Sequence, residues 1–193
     1  MTILNKDKLI NVEPKKKSIL VGKMFLLGIA TQVAASVLLT FVLGFMPDVA
    51  DSYNQNVSNL LTMTPMMLLY VCVLAPISEE LIFRGAVYGI LRRVAPFIVA
   101  NIFQALVFGI YHGNLVQGIY AFLLGMFIGW VMHLSGSLVC VMILHMSINL
   151  SGIVVSEIIP EETPMIFQVG AGIIAALVAV TIVRSLMTNL SES

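Results

Sequence analysis

The sequence predicts an all-α membrane protein, a bundle of about six transmembrane helices with the N-terminus and C-terminus cytoplasmic. Three observations carry this. Of the 193 residues, 59% are hydrophobic and 10% charged, where a soluble domain carries about 25% charged residues; the mean hydropathy is +1.01. The apolar residues fall into six runs, each compatible with the roughly 20 residues that cross a bilayer. The basic residues gather on one side of those runs, as the positive-inside rule requires.

The first run, Ser18–Met46, follows Lys6, Lys8, Lys15, Lys16 and Lys17 and contains Lys23. It far exceeds a signal-peptide core of about 7–15 residues and lacks a small-residue cleavage site, so it reads as a span. The connector Pro47–Asn59 holds Asp48 and Asp51 and no basic residue. The second run, Leu60–Arg92, ends on Arg92 and Arg93, and a turn near Val94–Pro96 leads into the third, Pro96–Gly113. The fourth and fifth, Val116–Met132 and Ser137–Ser156, are joined by a tight turn. Glu157–Pro164 is acidic and proline-marked, and the sixth run, Met165–Met187, carries Arg184 near its end. Six crossings from a cytoplasmic N-terminus accommodate all these charges.

The expected organisation is a cytoplasmic tail over residues 1–17, one transmembrane domain over 18–187 with its motif core at 60–156, and a C-terminal tail over 188–193. No internal repeat or low-complexity tract is visible. Ala121, Gly125 and Gly129 form a stripe of small residues, and Gly172 and Ala176 begin another; both predict close helix packing. Cys72 and Cys140 lie inside apolar runs and read as buried small hydrophobes. The expected surroundings are the lipid bilayer, with no nucleic-acid partner.

Once topology has explained most charges, Glu79, Glu80, Arg84, His112, His133 and His145 remain. His133 falls in a short turn and is set aside. The rest are costly at membrane depth, from about 2.5 kcal/mol upward for each charge on insertion scales. Glu79 precedes the Val94–Pro96 turn by about 15 residues and His112 follows it by about 17, so both stand about 22–26 Å from that turn along antiparallel helices. On the fifth run, His145 stands about 15 Å and Asn149 about 21 Å from the start. Three helices thus deliver polar groups to one layer.

The faces agree. Glu80 and Arg84 are spaced to pair on one helix surface, and Glu79 points about 100° away. Asn101, Gln104, Phe108 and His112 share an inward stripe, with Phe108 read as packing, and His145 shares a face with Asn149. Pro76, one turn before Glu79, is placed to bend its helix and loosen backbone groups. A carboxylate beside a neutral imidazole can take a proton from water and pass it to a leaving amine. His145 and Asn149 supply donors for an oxyanion. Such a set suits peptide hydrolysis inside a membrane.

Glu79-Glu80-x-x-x-Arg84, Phe108-x-x-x-His112 and His145-x-x-x-Asn149 occur in that order. In these motifs, over about residues 60–156, the chain resembles the CAAX protease and bacteriocin-processing (Abi) family of intramembrane proteases, and is similar to the type II CAAX prenyl endopeptidases. The resemblance implies that Glu79, assisted by His112, activates water, that His145 and Asn149 line the oxyanion site, and that Glu80 and Arg84 support the first of these helices. It implies a membrane-associated peptide or protein as substrate, of CAAX-like, bacteriocin or pheromone-precursor type, in a bacterial plasma membrane, and it leaves room for an accessory protein. The family is commonly labelled metalloprotease. A metal-free glutamate mechanism is favoured here; the alternative cofactor is zinc, held by Glu79, His112 and His145. Two rivals come from other classes. A proton-coupled transporter would also use membrane Glu and His, but the chain shows no inverted repeat. A non-catalytic scaffold or bacteriocin self-immunity protein of the same family would act by binding.

Overall fold

The computed structural model describes residues 14–46, 64–158 and 163–191. Among these, all regular structure is helical. Helix α1 (Pro14–Leu43) opens on a proline, whose missing N–H is no loss in a first turn. The backbone of Lys15, Lys16 and Lys17 lies within this helix. Helix α2 (Pro65–Leu91) again starts on a proline, and the Thr64 hydroxyl accepts from the Met67 N–H to cap it.

Helix α2 is not uniform. Two wider π-helical stretches, Tyr70–Leu74 and Leu81–Tyr88, flank the α-helical Ala75–Glu80. The first ends just before Pro76, which has no N–H to return to the preceding turn. In the five-residue register of a π-helix the donor for the Val71 carbonyl would be residue 76. That carbonyl is instead taken by the side-chain amide of Asn149, at 2.9 Å.

Helix α3 (Phe97–Tyr111) departs from the expected full crossing. Its 15 residues reach about 22 Å, short of a hydrocarbon core of about 30 Å. The cause is local. Gly113 adopts a left-handed φ of 67°, open to glycine at no steric cost. Asn114 then caps the next helix, its Oδ1 accepting from the N–H groups of Val116 and Gln117. Helix α4 (Leu115–Ser135) ends at Gly136, also left-handed with φ 61°, and the Ser137 hydroxyl accepts from the Cys140 N–H at the start of α5 (Leu138–Ile158). Helix α6 is Met165–Ser191. Among the described residues, α1, α2, α4, α5 and α6 are long and apolar enough to cross a membrane. The fold is thus the expected all-helical membrane architecture with one short member.

The chain divides into two compact units. The first comprises Met1–Gly22 and Ala75–His145. In it α3 and α4 meet almost backbone to backbone: a Cβ on Gly109 would stand 2.7 Å from the Gly118 carbonyl oxygen. The stripe Ala121, Gly125, Gly129 faces the same helix. Gly125 lies against Ala105 and Phe108, and a Cβ on Gly129 would overlap Asn101 and Gln104. Phe83, Phe108 and Ala121 form the apolar core, with Val107 packed on it. His133 sits in the last turn of α4 and not in a connector, its ring stacked on Phe97 at 4.2 Å.

The second unit comprises Lys23–Leu74 and Met146–Ser193. Lys23 Nζ donates to Ser185 Oγ at 2.7 Å, and the Ser147 hydroxyl donates to the Phe25 carbonyl at 2.6 Å. Gly172 packs on Val37 as its stripe required. The stripe continues through Ala175, which is buried, and not through the expected Ala176, which is exposed. Cys140 is buried and Cys72 half-buried, and neither forms a disulfide among the described residues.

Replacing Gly109 by Ala forces α3 off the Gly118 carbonyl and should cost about 1–3 kcal/mol, the usual range for overpacking. Gly22→Ala, where a Cβ meets nothing within 4 Å, should stay within about 0.5 kcal/mol of wild type. Thermal or dodecyl-sulfate unfolding in mixed micelles compares them. Equal midpoints would refute the close α3–α4 approach.

Candidate active site

The site is built on the straight turn of α2 between its two π-helical stretches. Glu79 and Glu80 are neighbours there, so they point about 100° apart. Glu80 goes fully inside, at 0% exposure, as does Arg84 at 1%. Such a burial is tolerable only if the charges are paired and hydrogen-bonded. Arg84 Nη1 donates to Glu80 Oε1 at 2.8 Å, its Nη2 donates to the Gly125 carbonyl of α4 at 3.2 Å, and its guanidinium lies 4.7 Å from the centre of the Phe108 ring.

A polar layer on α3 borders this seat. Gln104 Nε2 donates to the same Gly125 carbonyl and to Asn101 Oδ1, each at 2.9 Å, and Asn101 Nδ2 donates to the Met126 carbonyl at 3.0 Å. The expected inward stripe holds for Asn101, Gln104 and Phe108, which are all buried, while its fourth member, His112, lies at the helix end and is half-buried. Its polar members bind the α4 backbone.

His145 arrives from α5. Its Nδ1 lies 2.7 Å from Glu80 Oε1, and its Nε2 lies 3.7 Å from Glu79 Oε2. Glu80 therefore accepts two hydrogen bonds on one oxygen, from Arg84 and from His145. From the sequence Glu80 was assigned to Arg84 alone and His145 was paired with Asn149. The missed contact joins residues 65 positions apart, beyond the reach of any spacing rule. The Gly125 carbonyl was missed as well. Its signal was the small-residue stripe, read there as packing only.

His112 stands in the turn that ends α3. Its Nδ1 is 2.8 Å from the Phe108 carbonyl. A carbonyl only accepts, so this partner assigns the ring proton to Nδ1 and leaves Nε2 as the accepting nitrogen of the neutral ring. The Phe108 ring contacts both imidazoles edge-on, at 4.7 Å to His112 and 5.9 Å to His145, and Phe83 at 5.0 Å. Phe108 packs, as expected, and what it packs is the pair of histidines. Glu79 lies within electrostatic reach of His112 and His145 as well as of Glu80 and Arg84.

The first unit thus gathers Glu79, Glu80, Arg84, His112 and His145. Asn149 belongs to the second unit, with its amide on the Val71 carbonyl. Among the described residues, no three His, Cys, Asp or Glu side chains are grouped as ligands of one metal ion. Zinc held by Glu79, His112 and His145 is the alternative reading from the sequence, and no step below passes through a metal.

Composition, helix lengths and a buried charge pair define a multi-pass integral membrane protein with a polar cluster inside its helices. Comparison with known proteins adds a likeness over part of the chain. Residues 61–151 match the model described as "Type II CAAX prenyl endopeptidase Rce1-like", the resemblance that the three motifs carry. The chain is also similar to "Putative membrane peptidase YdiL" of Bacillus subtilis (strain 168), with 31% identity over 61 residues that cover 32% of this chain and 25% of that protein. The match thus spans a quarter of that relative. No solved structure matches the chain.

Arg84→Leu leaves Glu80 charged and buried without its cation and should cost about 3–5 kcal/mol, the range for removing one partner of a buried pair. Glu80→Gln together with Arg84→Met should cost less than Arg84→Leu alone, because no uncompensated charge remains. Unfolding midpoints of the two variants in mixed micelles check this; the reverse order would show that the pair is not fully desolvated.

Proposed function

We propose that the chain is an intramembrane endopeptidase that hydrolyses a peptide bond in a small membrane-associated peptide or protein. The substrates in view are CAAX-like termini and bacteriocin or pheromone precursors, in a bacterial plasma membrane. The observation that carries this reading is the facing of Glu79 Oε2 and His145 Nε2 at 3.7 Å inside an apolar chain. That distance is long for a direct hydrogen bond and short enough for one water to touch both.

In this reading the Glu79 carboxylate and the accepting Nε2 of His112 polarise a bound water. An O–H bond of the water breaks toward Glu79 while its oxygen bonds to the scissile carbonyl carbon. The negative charge that develops on the carbonyl oxygen is met by the His145 ring, and the resemblance adds Asn149 as a second donor. Collapse breaks the C–N bond, and the proton taken from water goes to the leaving amine. Arg84 takes no part in proton transfer; it neutralises Glu80 and anchors α2 to α4. The metal-free route is the favoured reading; the same lone pairs on the rings and Glu79 would also suit zinc, and chelation tests that alternative.

Purified protein in lipid is to be given a panel of membrane-tethered peptides, alongside Glu79→Gln and His112→Ala, with and without a chelator. Wild type should cleave. Both variants should lose at least about 10²-fold in rate, the lower range for a general acid or base, and the chelator should leave the rate unchanged. Loss of activity on chelation would move the mechanism to zinc. Absence of cleavage, with the variants still conferring a cellular phenotype such as immunity, would replace the protease by a scaffold or self-immunity protein.

A further inference from the structure

Glu80 is already committed to Arg84, yet the same oxygen lies 2.7 Å from His145 Nδ1. A carboxylate paired with an arginine is ionised and can only accept, so the ring proton of His145 sits on Nδ1. In the neutral ring Nε2 then carries a lone pair and cannot donate. This constrains any use of His145 as an oxyanion donor: the ring stabilises negative charge through Nε2 only after Nε2 has received a proton. The group facing Nε2 is Glu79, at 3.7 Å.

We infer that Glu80 is a positioning residue that holds His145 with Nε2 turned to Glu79, so that the proton taken from water makes the oxyanion donor. The inference rests on the protease reading above. The step balances: the water O–H breaks to Glu79 as its oxygen bonds to the carbonyl carbon, Glu79 passes that proton to His145 Nε2, and the new N–H faces the oxyanion. When the C–N bond breaks, the same proton leaves Nε2 for the amine. Glu80 stays ionised throughout and stabilises the imidazolium while it exists, the part that an aspartate plays behind the histidine of a serine protease. Arg84 keeps Glu80 from taking the proton itself, by its 2.8 Å bond to the same oxygen.

The arrangement explains why two adjacent glutamates differ so sharply in burial. Glu80 is sealed, with a side-chain exposure of 0%, while Glu79 keeps 13%. One must reach water and the other must not.

The test is nitrogen NMR of histidine-labelled protein in lipid bilayers, with kinetics on any cleaved peptide beside it. His145 in wild type should hold its proton on Nδ1 with Nε2 bare. Glu80→Gln, whose amide can present either oxygen or nitrogen to the ring, should give a tautomer mixture at His145 and leave His112 unchanged. Its kcat should fall about 10²–10⁴-fold, by analogy with removing the charge behind a catalytic histidine, with KM within about threefold. The wild-type spectrum needs no variant to fold: a proton on Nε2 of neutral His145 overturns the inference even if the protein cleaves peptides. An unaltered tautomer and kcat in Glu80→Gln overturns it too. Wild type that shows the Nδ1 tautomer, lost in Glu80→Gln, but cleaves nothing would sink the protease reading and leave the positioning of His145 by Glu80 standing.

Discussion

A carboxylate with no exposed surface, in a helix that crosses lipid, sets the terms for everything around it. Glu80 loses its water entirely, and a desolvated charge is worth keeping only where partners replace that water closely. Arg84 on the same helix neutralises it, but Arg84 then needs partners of its own. It finds them in the Gly125 carbonyl and the Phe108 face. His145 supplies the second donor to Glu80. Four helices of the first unit are tied together because one oxygen must be satisfied. The backbone at Gly125 is part of the same demand. Its missing Cβ lets Ala105 and Phe108 close on α4, where any side-chain atom would stand 3.1–3.2 Å from them.

Helix α2 meets a second demand, on its own backbone. In a bilayer every carbonyl must be satisfied within the protein, since unpaired groups cost several kcal/mol. Pro76 removes a donor, the helix widens before it, and Asn149 covers the Val71 carbonyl that results. This gives Asn149 a structural task independent of any chemistry. Its amide carries two hydrogens, and Val71 takes one. An asparagine spaced one turn from a histidine reads from sequence as a partner in chemistry, and the observed bond shows how the same residue serves the helix next to it.

Much of this was legible beforehand. Hydropathy placed six helical segments, the spacing of Glu80 and Arg84 gave their ion pair, and the Asn101–Gln104–Phe108 stripe gave the buried face of α3. Each of these depends on one helix, where periods of 3.6 residues fix which side chains share a side. What failed needed either conformation or distance. The end of α3 depends on a left-handed Gly113 followed by the Asn114 cap, and an apolar run gives no sign of that. Ala176 missed because a spacing of four was extrapolated where the buried face drifts to Ala175. The Glu80–His145 bond joins helices far apart in the chain, and no periodicity contains it.

The early end of α3 has a consequence that a full crossing would not have. In an uninterrupted helix the His112 N–H would bond to the Phe108 carbonyl four residues back. Here the last turn tightens, and that N–H goes to the Gly109 carbonyl at 3.2 Å. The Phe108 carbonyl is one of the groups a helix end leaves open, and the His112 ring takes it at 2.8 Å through Nδ1. Helix termination thus does for His112 what Glu80 does for His145: each ring has its Nδ1 proton held and Nε2 presented. The two devices are chemically different. A carbonyl orients a neutral ring and gives a charged one only a dipole, while an ionised carboxylate supports the charged ring directly. Under the proposed protease reading, His145 is accordingly the histidine suited to carry a proton, and His112 the one suited to hold a water.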